Sequence, residues 1–372
     1  MPPFFHRIVP PHGRVLAGLV LAVSLAASRP AFAITYQIES LGTLGGTFAR
    51  AYGISGPWIA GQSYTADGSL RGFIWSDGNM RELETLGGVS SHAQSVNSYG
   101  IAAGWAKDAL GYSRPAIWDG YGVTALPTLG GAKGTVWDMS DDGLAVGNSF
   151  INSNTYHATL WSGQTAYDLG TLGGSYSVAY GRSSSGWIVG EADDPQGDNW
   201  ATVWINDTPQ YLGAFQGGSW STARAVNSRN QVIFYGNTPS SYGRSALWWN
   251  SGFTDMGTLG GSTTYAYGLN DLGFAVGEST LSSGLVHAFV YNGGLMHDLG
   301  TLGGYHSKAY AIDNDGVIVG MAHDAQGRTH AVRWVPVPEP NVALALTTML
   351  GALAGHWRTR RRSRKIESKG GE

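Results

Sequence analysis

The heptapeptide "DLGTLGG" occupies Asp168 to Gly174 and returns unchanged at Asp298 to Gly304. The two copies lie 130 positions apart, close to three times 43, which suggests a unit of about 43 residues running through the chain. The "TLGG" corner gives a column of Leu44, Leu86, Leu129, Leu172, Phe215, Leu259 and Leu302, with steps of 42 to 44. A second column holds Trp75, Trp118, Trp161, Trp204, Trp248, Tyr291 and Trp334, with steps of 43 or 44. A third is glycine: Gly61, Gly104, Gly147, Gly190, Gly236, Gly277 and Gly320. Seven copies in three columns establish a repeat array.

One unit reads as four short strands. In the sixth, "TYAYGLN", "FAVGES", "HAFVYN" and "LMHDLG" are separated by turn signals, and nothing sustains a 3.6-residue period. Gly100, Gly143, Gly186, Gly273 and Gly316 close the first hairpin of five units, and Asn230 takes that place in the fifth unit. Asn is the usual substitute for glycine at positive φ, so the exchange marks a left-handed position. A four-stranded unit of this size is a propeller blade. The last unit ends after Trp334 without its fourth strand, while "ITYQIESLG", Ile34 to Gly42, is a fourth strand without its first three. The expected fold is therefore all-β, a seven-bladed β-propeller closed by its N-terminal strand over residues 34–335. An open β-solenoid is the alternative, and it would not need complementary ends.

Composition agrees with many short strands. The chain has 372 residues, with 56 Gly, 14 Trp, 18 Tyr and only 13% charged residues. There is no cysteine, hence no disulfide and no thiol chemistry. Residues 1–33 carry Arg7 and Arg14, an apolar run from Val15 to Ala27, and the A-x-A pattern at Ala31 and Ala33. That is a secretory signal peptide, with cleavage by signal peptidase expected after Ala33.

The other end, residues 336–365 with a tail of 366–372, reads Pro338-Glu339-Pro340, an apolar segment from Val342 to Trp357, then a basic cluster including Arg360, Arg361 and Arg362. The apolar segment is just long enough for a membrane helix whose basic flank stays cytoplasmic. In order and position these three parts resemble the PEP-CTERM sorting signal. The resemblance implies a Gram-negative bacterial protein. Its tail would anchor it transiently in the membrane until an exosortase-type protease cuts near Pro338–Pro340, leaving it at the cell surface or outside. It also implies a setting in which exopolysaccharide is made. Between the two ends the chain holds 13 basic and 23 acidic residues, a net of −10, which argues against nucleic acid as a partner.

The repeat, "DLGTLGG…A…IN..G..VG……HAF.W..G.M", is similar to the HAF repeat of bacterial extracellular proteins. The namesake triplet is kept at His287-Ala288-Phe289, with partial matches at His157-Ala158 and His330-Ala331. That resemblance implies an exported repeat protein and no catalytic residues.

Candidate chemistry is sparse. The three column histidines belong to different units and read as strand-end hydrogen-bonding residues rather than ligands. Asp141, Asp142, Asp271, Asp313 and Asp315 sit at turns, where Asp is expected. Oxygen-rich turns would suit calcium, but the EF-hand pattern is missing, and no cofactor is expected. The stretch "EADDPQGDN", Glu191 to Asn199, gathers four carboxylates; it reads as a solvated loop, and as an enzyme it would hold paired acids for glycan hydrolysis. The Trp column reads as core. Trp58, Trp105, Trp137, Trp187, Trp200, Trp220 and Trp249 stand off it and are candidates for stacking on sugars. The expected role is non-catalytic binding of exopolysaccharide or surface proteins. The alternative is a polysaccharide-acting hydrolase or lyase, which would need several unrepeated polar groups meeting on the axis, and the sequence offers no clear set of these.

Overall fold

The computed structural model describes residues Thr35–Val337. The signal segment with Ala31 and Ala33, the Pro338-Glu339-Pro340 motif, the apolar segment and the cluster at Arg360, Arg361 and Arg362 all lie outside the described residues. Within them the chain is all-β, with 28 strands and no helix.

The strands come in fours. β1 (Thr35–Gly42) stands alone at the start. Then come β2 (Gly45–Ser55), β3 (Trp58–Thr65), β4 (Leu70–Ser76) and β5 (Asn79–Glu82), followed by β6 (Gly87–Val96), β7 (Ala102–Asp108), β8 (Ser113–Trp118) and β9 (Val123–Ala125). The third group is β10 (Gly134–Met139), β11 (Leu144–Phe150), β12 (Tyr156–Ser162) and β13 (Thr165–Asp168). The fourth is β14 (Ser177–Arg182), β15 (Ile188–Asp193), β16 (Asn199–Ile205) and β17 (Thr208–Tyr211). The fifth is β18 (Ser221–Val226), β19 (Val232–Thr238), β20 (Ser241–Trp249) and β21 (Gly252–Asp255). The sixth is β22 (Gly260–Leu269), β23 (Ala275–Leu281), β24 (Val286–Asn292) and β25 (Leu295–Asp298), and last come β26 (Gly303–Ile312), β27 (Ile318–Asp324) and β28 (Thr329–Val337). Each group is an antiparallel meander. β1 supplies the missing edge of the last group, running antiparallel to β28 from Thr35↔Val337 to Gly42↔Ala331. It uses the register of a fourth strand: Ser40 faces Val332 as Asp168 faces Thr159 in the third group.

The first strands touch in order, from β2 through β6, β10, β14, β18 and β22 to β26, and β26 touches β2 again. An all-β chain of four-stranded sheets with such a circuit of inner strands is consistent with a β-propeller. A single parallel bridge, Phe48↔Thr329, also links the first group to the last.

The repeated columns are the frame. Trp75, Trp118, Trp161, Trp204, Trp334 and Tyr291 are buried between sheets, and Trp248 is half-buried. The indoles of Trp118, Trp161 and Trp334 donate to carbonyls of Glu84, Pro127 and Leu299 at 2.7–2.9 Å. The core reading of this column therefore holds. In "TLGG" the threonine hydroxyl donates to the carbonyl of the second glycine, as Thr171 does to Gly174 at 3.0 Å. The first glycine, Gly173, has φ +108, and a Cβ on the second, Gly174, would lie 2.4 Å from the Asp194 carbonyl. A serine at the start of the next first strand then pins the corner. Ser177 Oγ donates to Gly170 O at 2.7 Å and accepts from Ala158 N at 2.8 Å. Asn230 has φ 58, which confirms the left-handed turn position.

The glycine column needs one correction. Gly61, Gly104, Gly147, Gly190, Gly277 and Gly320 all face the small buried residue of the first strand, but in the fifth group that partner, Ala223, faces Phe234. Gly236 instead pairs with Ser221, two places away. Phe234 fills this corner with Phe253 and Phe215, ring centroids 4.9 and 6.4 Å away.

Candidate functional site

Each first strand carries a small buried residue: Ala49 or Ala51, Ala93, Val136, Ala179, Ala223, Ala266 and Ala309. Strand alternation sends the residue two places on from such a position to the same face, and its direct neighbours to the other. The neighbours after Ala51, Ala93, Val136, Ala179, Ala223, Ala266 and Ala309 are Tyr52, Gln94, Trp137, Tyr180, Arg224, Tyr267 and Tyr310. All seven line one cavity of about 310 Å³, one from each group of strands. This is the axis of the circuit.

The side chains there form a collar. Tyr52 stacks on His92 at 4.7 Å and meets Tyr310 at 4.9 Å; Tyr310 meets Tyr267 at 5.6 Å. The Arg224 guanidinium lies 4.0 Å from the Tyr180 ring centre, 5.8 Å from Trp137 and 5.9 Å from Tyr267. Trp137 meets Tyr180 edge-on at 5.4 Å, and Trp105 flanks His92 at 5.7 Å.

Polar groups on the second strands tie the collar down. Gln62 Nε2 donates to the Tyr52 hydroxyl at 2.9 Å, and the Trp137 indole donates to Asn148 Oδ1 at 3.0 Å. The Tyr180 hydroxyl donates to Glu191 at 2.9 Å and Thr222 donates to the other oxygen at 2.5 Å. The Tyr267 hydroxyl donates to Glu278 at 2.9 Å, whose second oxygen lies 2.6 Å from Lys308 Nζ. Burial, reinforced by the neighbouring glutamates, holds the Tyr180 and Tyr267 phenols well above their ordinary range, so they remain donors. Burial likewise pushes the His92 imidazole down to about 4, against the lifting effect of its bond with Gln94 and with the Arg50 charge adding to the fall. Asp138 and Asp141 are the acids on the cavity wall, and Asp138 is the more buried of the two. Burial raises its carboxyl, and its oxygens accept from Ser95 Oγ and the amides of Met139 and Arg182 at 2.9–3.2 Å.

Towards the first hairpin turns the cavity opens into a second space of about 390 Å³, sharing Ile54, Val226, Leu269 and Ile312 with the first. Several of the first hairpin turns at this end bond to the next turn. Ser98 N donates to Asp141, Ser228 N to Asp271 and Asp271 N to Asn314, at 2.8–2.9 Å. The turn acids are thus occupied by turn formation, with Asp142 paired to Arg182 and Asp313 accepting from Asp315 N and Val317 N. Among the described residues no three His, Asp or Glu side chains are grouped as metal ligands.

The column histidines sit far from this chemistry, at the outer strands. His157 bonds Asp168 and His287 bonds Asp298 on the adjacent fourth strand, at 2.8–2.9 Å; His330 bonds Asp324 at 2.9 Å. They are the hydrogen-bonding residues expected of them. The stretch from Glu191 to Asn199 is not one site. Glu191 belongs to the collar, Asp194 caps its own turn and accepts from Trp200 Nε1, and Asp198 is exposed. Of the off-column tryptophans, Trp105 and Trp137 join the collar and Trp220 meets Tyr235 beside it. Trp249 is exposed on an outer hairpin, Trp187 leans on Trp248, and Trp200 packs edge-on against Tyr211.

A set of unrepeated polar groups therefore does meet on the axis, contrary to the expectation from sequence. The signal was present in the residues flanking a repeated small position, where variation between units reads at first as noise.

No known family model matches the chain, and no curated protein matches it. Solved structures do. A puromycin-hydrolyzing peptidase of Mycobacterium tuberculosis is similar over 80% of this chain at 11% identity, with a TM-score of 0.52. An acylaminoacyl peptidase of Pyrococcus horikoshii is similar over 82% at 11% identity, with a TM-score of 0.51. This chain spans about half the length of each, 54% and 55%. At that identity the likeness is one of fold alone, and fold does not carry activity.

Proposed function

We propose that the chain is a closed seven-bladed β-propeller that works outside the cytoplasm as a non-catalytic binding protein of the cell surface or extracellular matrix, and that its axial collar takes carbohydrate. The A-x-A segment ending at Ala33 and the Pro338–Pro340 tail with Arg360, Arg361 and Arg362 support export and transient anchoring, and the HAF-type units support the same address. The observation that carries the binding role is the collar itself. The seven inner strands repeat their small buried residue while presenting five aromatic side chains, a glutamine and an arginine around one 310 Å³ cavity. Aromatic faces cover the apolar C–H faces of sugars, and the polar groups between them orient hydroxyls, as small-molecule sites require. Binding fits better than catalysis because Glu191 and Glu278 are each engaged by a phenol and a second donor of their own.

The test uses the full-length chain produced in a secreting host. Binding to the host's exopolysaccharide and to a panel of monosaccharides is followed by tryptophan fluorescence and calorimetry, with polymer length tracked alongside. Saturable binding with unchanged polymer length is expected, and Trp137→Ala should weaken it about tenfold, or roughly 1.4 kcal/mol. Shortening of the polymer would instead favour the glycan-active enzyme, with Glu191 and Glu278 as its first candidates.

A further inference from the structure

We infer that the sugar held in the axial cavity is acidic, a uronic acid residue whose carboxylate is bound by Arg224; this rests on the carbohydrate reading of the collar. Arg224 Nε is buried without a hydrogen-bond partner, and the guanidinium makes no ion pair with any described residue. Its close stacking on Tyr180 engages one face, with the Trp137 and Tyr267 rings almost 6 Å away, and leaves the Nε–H without an acceptor. A buried N–H without an acceptor is costly, and the half-buried guanidinium that carries it has no counterion among the described residues.

The protein's own acids do not fill that place. Glu191 is held at the hydroxyl end of Tyr180 with Thr222, while Arg224 lies over the ring, so one tyrosine keeps the two charges apart. Glu278 is taken by Tyr267 and Lys308, and Asp138 by Ser95 and two backbone amides. Arginines of the outer sheets are treated differently: Arg71, Arg114, Arg244 and Arg333 each pair with an acid at 2.7–2.8 Å. Arg50, the other guanidinium near the axis, stacks on Phe48 at 4.9 Å and lies outside the cavity wall. Arg224 is on the wall, at a position that is uncharged in the six other groups.

The chemistry follows from the shapes. A planar carboxylate meets a guanidinium through two parallel hydrogen bonds. Beside it, the faces of Trp137 and Tyr267 can cover the body of a sugar ring. A volume of about 310 Å³ is at the small end of the range for small-molecule sites, which suits one or two sugar residues rather than a bulky ligand.

The experiment titrates the full-length chain with galacturonate, glucuronate and mannuronate, with their neutral parent sugars, and with acetate. At least one uronate should bind about tenfold or more tighter than its neutral parent, and acetate should bind more weakly than that uronate. The preference should shrink as salt is raised, because it is carried by charge. Arg224→Gln should bring the uronate to the level of the neutral sugar, and Arg224→Lys should fall between, keeping the charge but losing the planar fork. The salt dependence of the unaltered protein tests the same claim should a variant fold poorly. Neutral and acidic sugars binding alike, or a preference that survives Arg224→Gln, would overturn the inference and leave the carbohydrate site standing. Acetate binding as well as the uronate would make the cavity an anion site and not a sugar site. No binding by any sugar would remove both.

Discussion

On the outer face, a residue near the start of the third strand is paired with the fourth strand in four groups. Arg71 meets Glu82, His157 meets Asp168, Arg244 meets Asp255 and His287 meets Asp298, each across the two outer strands. Where the fourth group puts Trp200, the partner is Tyr211, and the pair becomes aromatic. Each of these exchanges leaves the residue with a neighbour it can bond or pack against. The axial face is made by the same sheets, and its collar residues are matched too, Tyr52 by Gln62, Trp137 by Asn148, Tyr180 by Glu191 and Tyr267 by Glu278, until the fifth group. Tyr52, Gln94, Trp137, Tyr180, Arg224, Tyr267 and Tyr310 occupy equivalent places, and Arg224 enters without bringing an acid. An exchange compensated by its neighbour is explained by packing. One that leaves a half-buried guanidinium without an acid on a cavity wall points to a partner from outside the chain. The outer pairs are therefore frame, and the axial column is where this molecule departs from its own repeat.

The largest test of the frame is its closure. β1 lines up with β28 along its whole length, Leu41 is buried, Tyr36 and Ile38 lie against the Trp334 cluster, and Glu39 pairs with Arg333 at 2.7 Å. Deleting residues 34–42 uncovers the β28 edge and those apolar groups. The loss should be about 5 kcal/mol from the side chains alone. That lowers the unfolding midpoint by about 10 °C or more, with aggregation through the free edge. Scanning calorimetry with light scattering reads both. A variant that melts and stays soluble like the parent would break the closed circuit.

Next comes the approach of first and second strands. A Cβ on Gly190 would sit 1.9 Å from the Val178 carbonyl, and the corresponding positions Gly61, Gly147 and Gly320 are as tight, at 1.9–2.1 Å. Gly190→Ala has to push two paired backbones apart and should cost about 4 kcal/mol in urea unfolding. A change under about 1 kcal/mol would mean that this contact yields easily, and the contrast between rigid frame and variable axis would weaken.

Much of this frame was legible in the sequence because it is periodic. The Trp column, the turn glycines with Asn230, and the split last unit all repeat at 43 residues, so each copy vouches for the others. The fifth group misled for the same reason. Gly236 was the nearest glycine to the expected place, and only strand register shows Phe234 there. The collar was harder to see. Its residues share no type, and a search for special histidines, acids and tryptophans finds Trp137 and Glu191 but treats them as unrelated. What joins them is their shared place beside a small buried residue, which becomes meaningful once the inner strands are known to surround an axis.

The smallest effect sharpens the axial side and concerns acid. His92 is half-buried between Tyr52 and Trp105, and desolvation of its ring lowers the imidazole to about 4, from an ordinary value near 6.5. In the unfolded chain it takes up a proton at the higher pH. Between about 6.5 and 4 the unfolded state thus binds more protons, and stability falls as pH drops through that window. The full difference, reached below pH 4, is roughly 3 kcal/mol. His92→Gln keeps a polar group beside Gln94 and removes the titration. Its unfolding free energy should therefore decline less than the parent's between pH 6.5 and 4, with the two curves parallel above pH 7. Parallel curves throughout would mean that His92 is hydrated and titrates freely. The collar would then be open to bulk water on that side, and a desolvated sugar site would have to be confined to the half formed by Trp137, Tyr180, Arg224 and Tyr267.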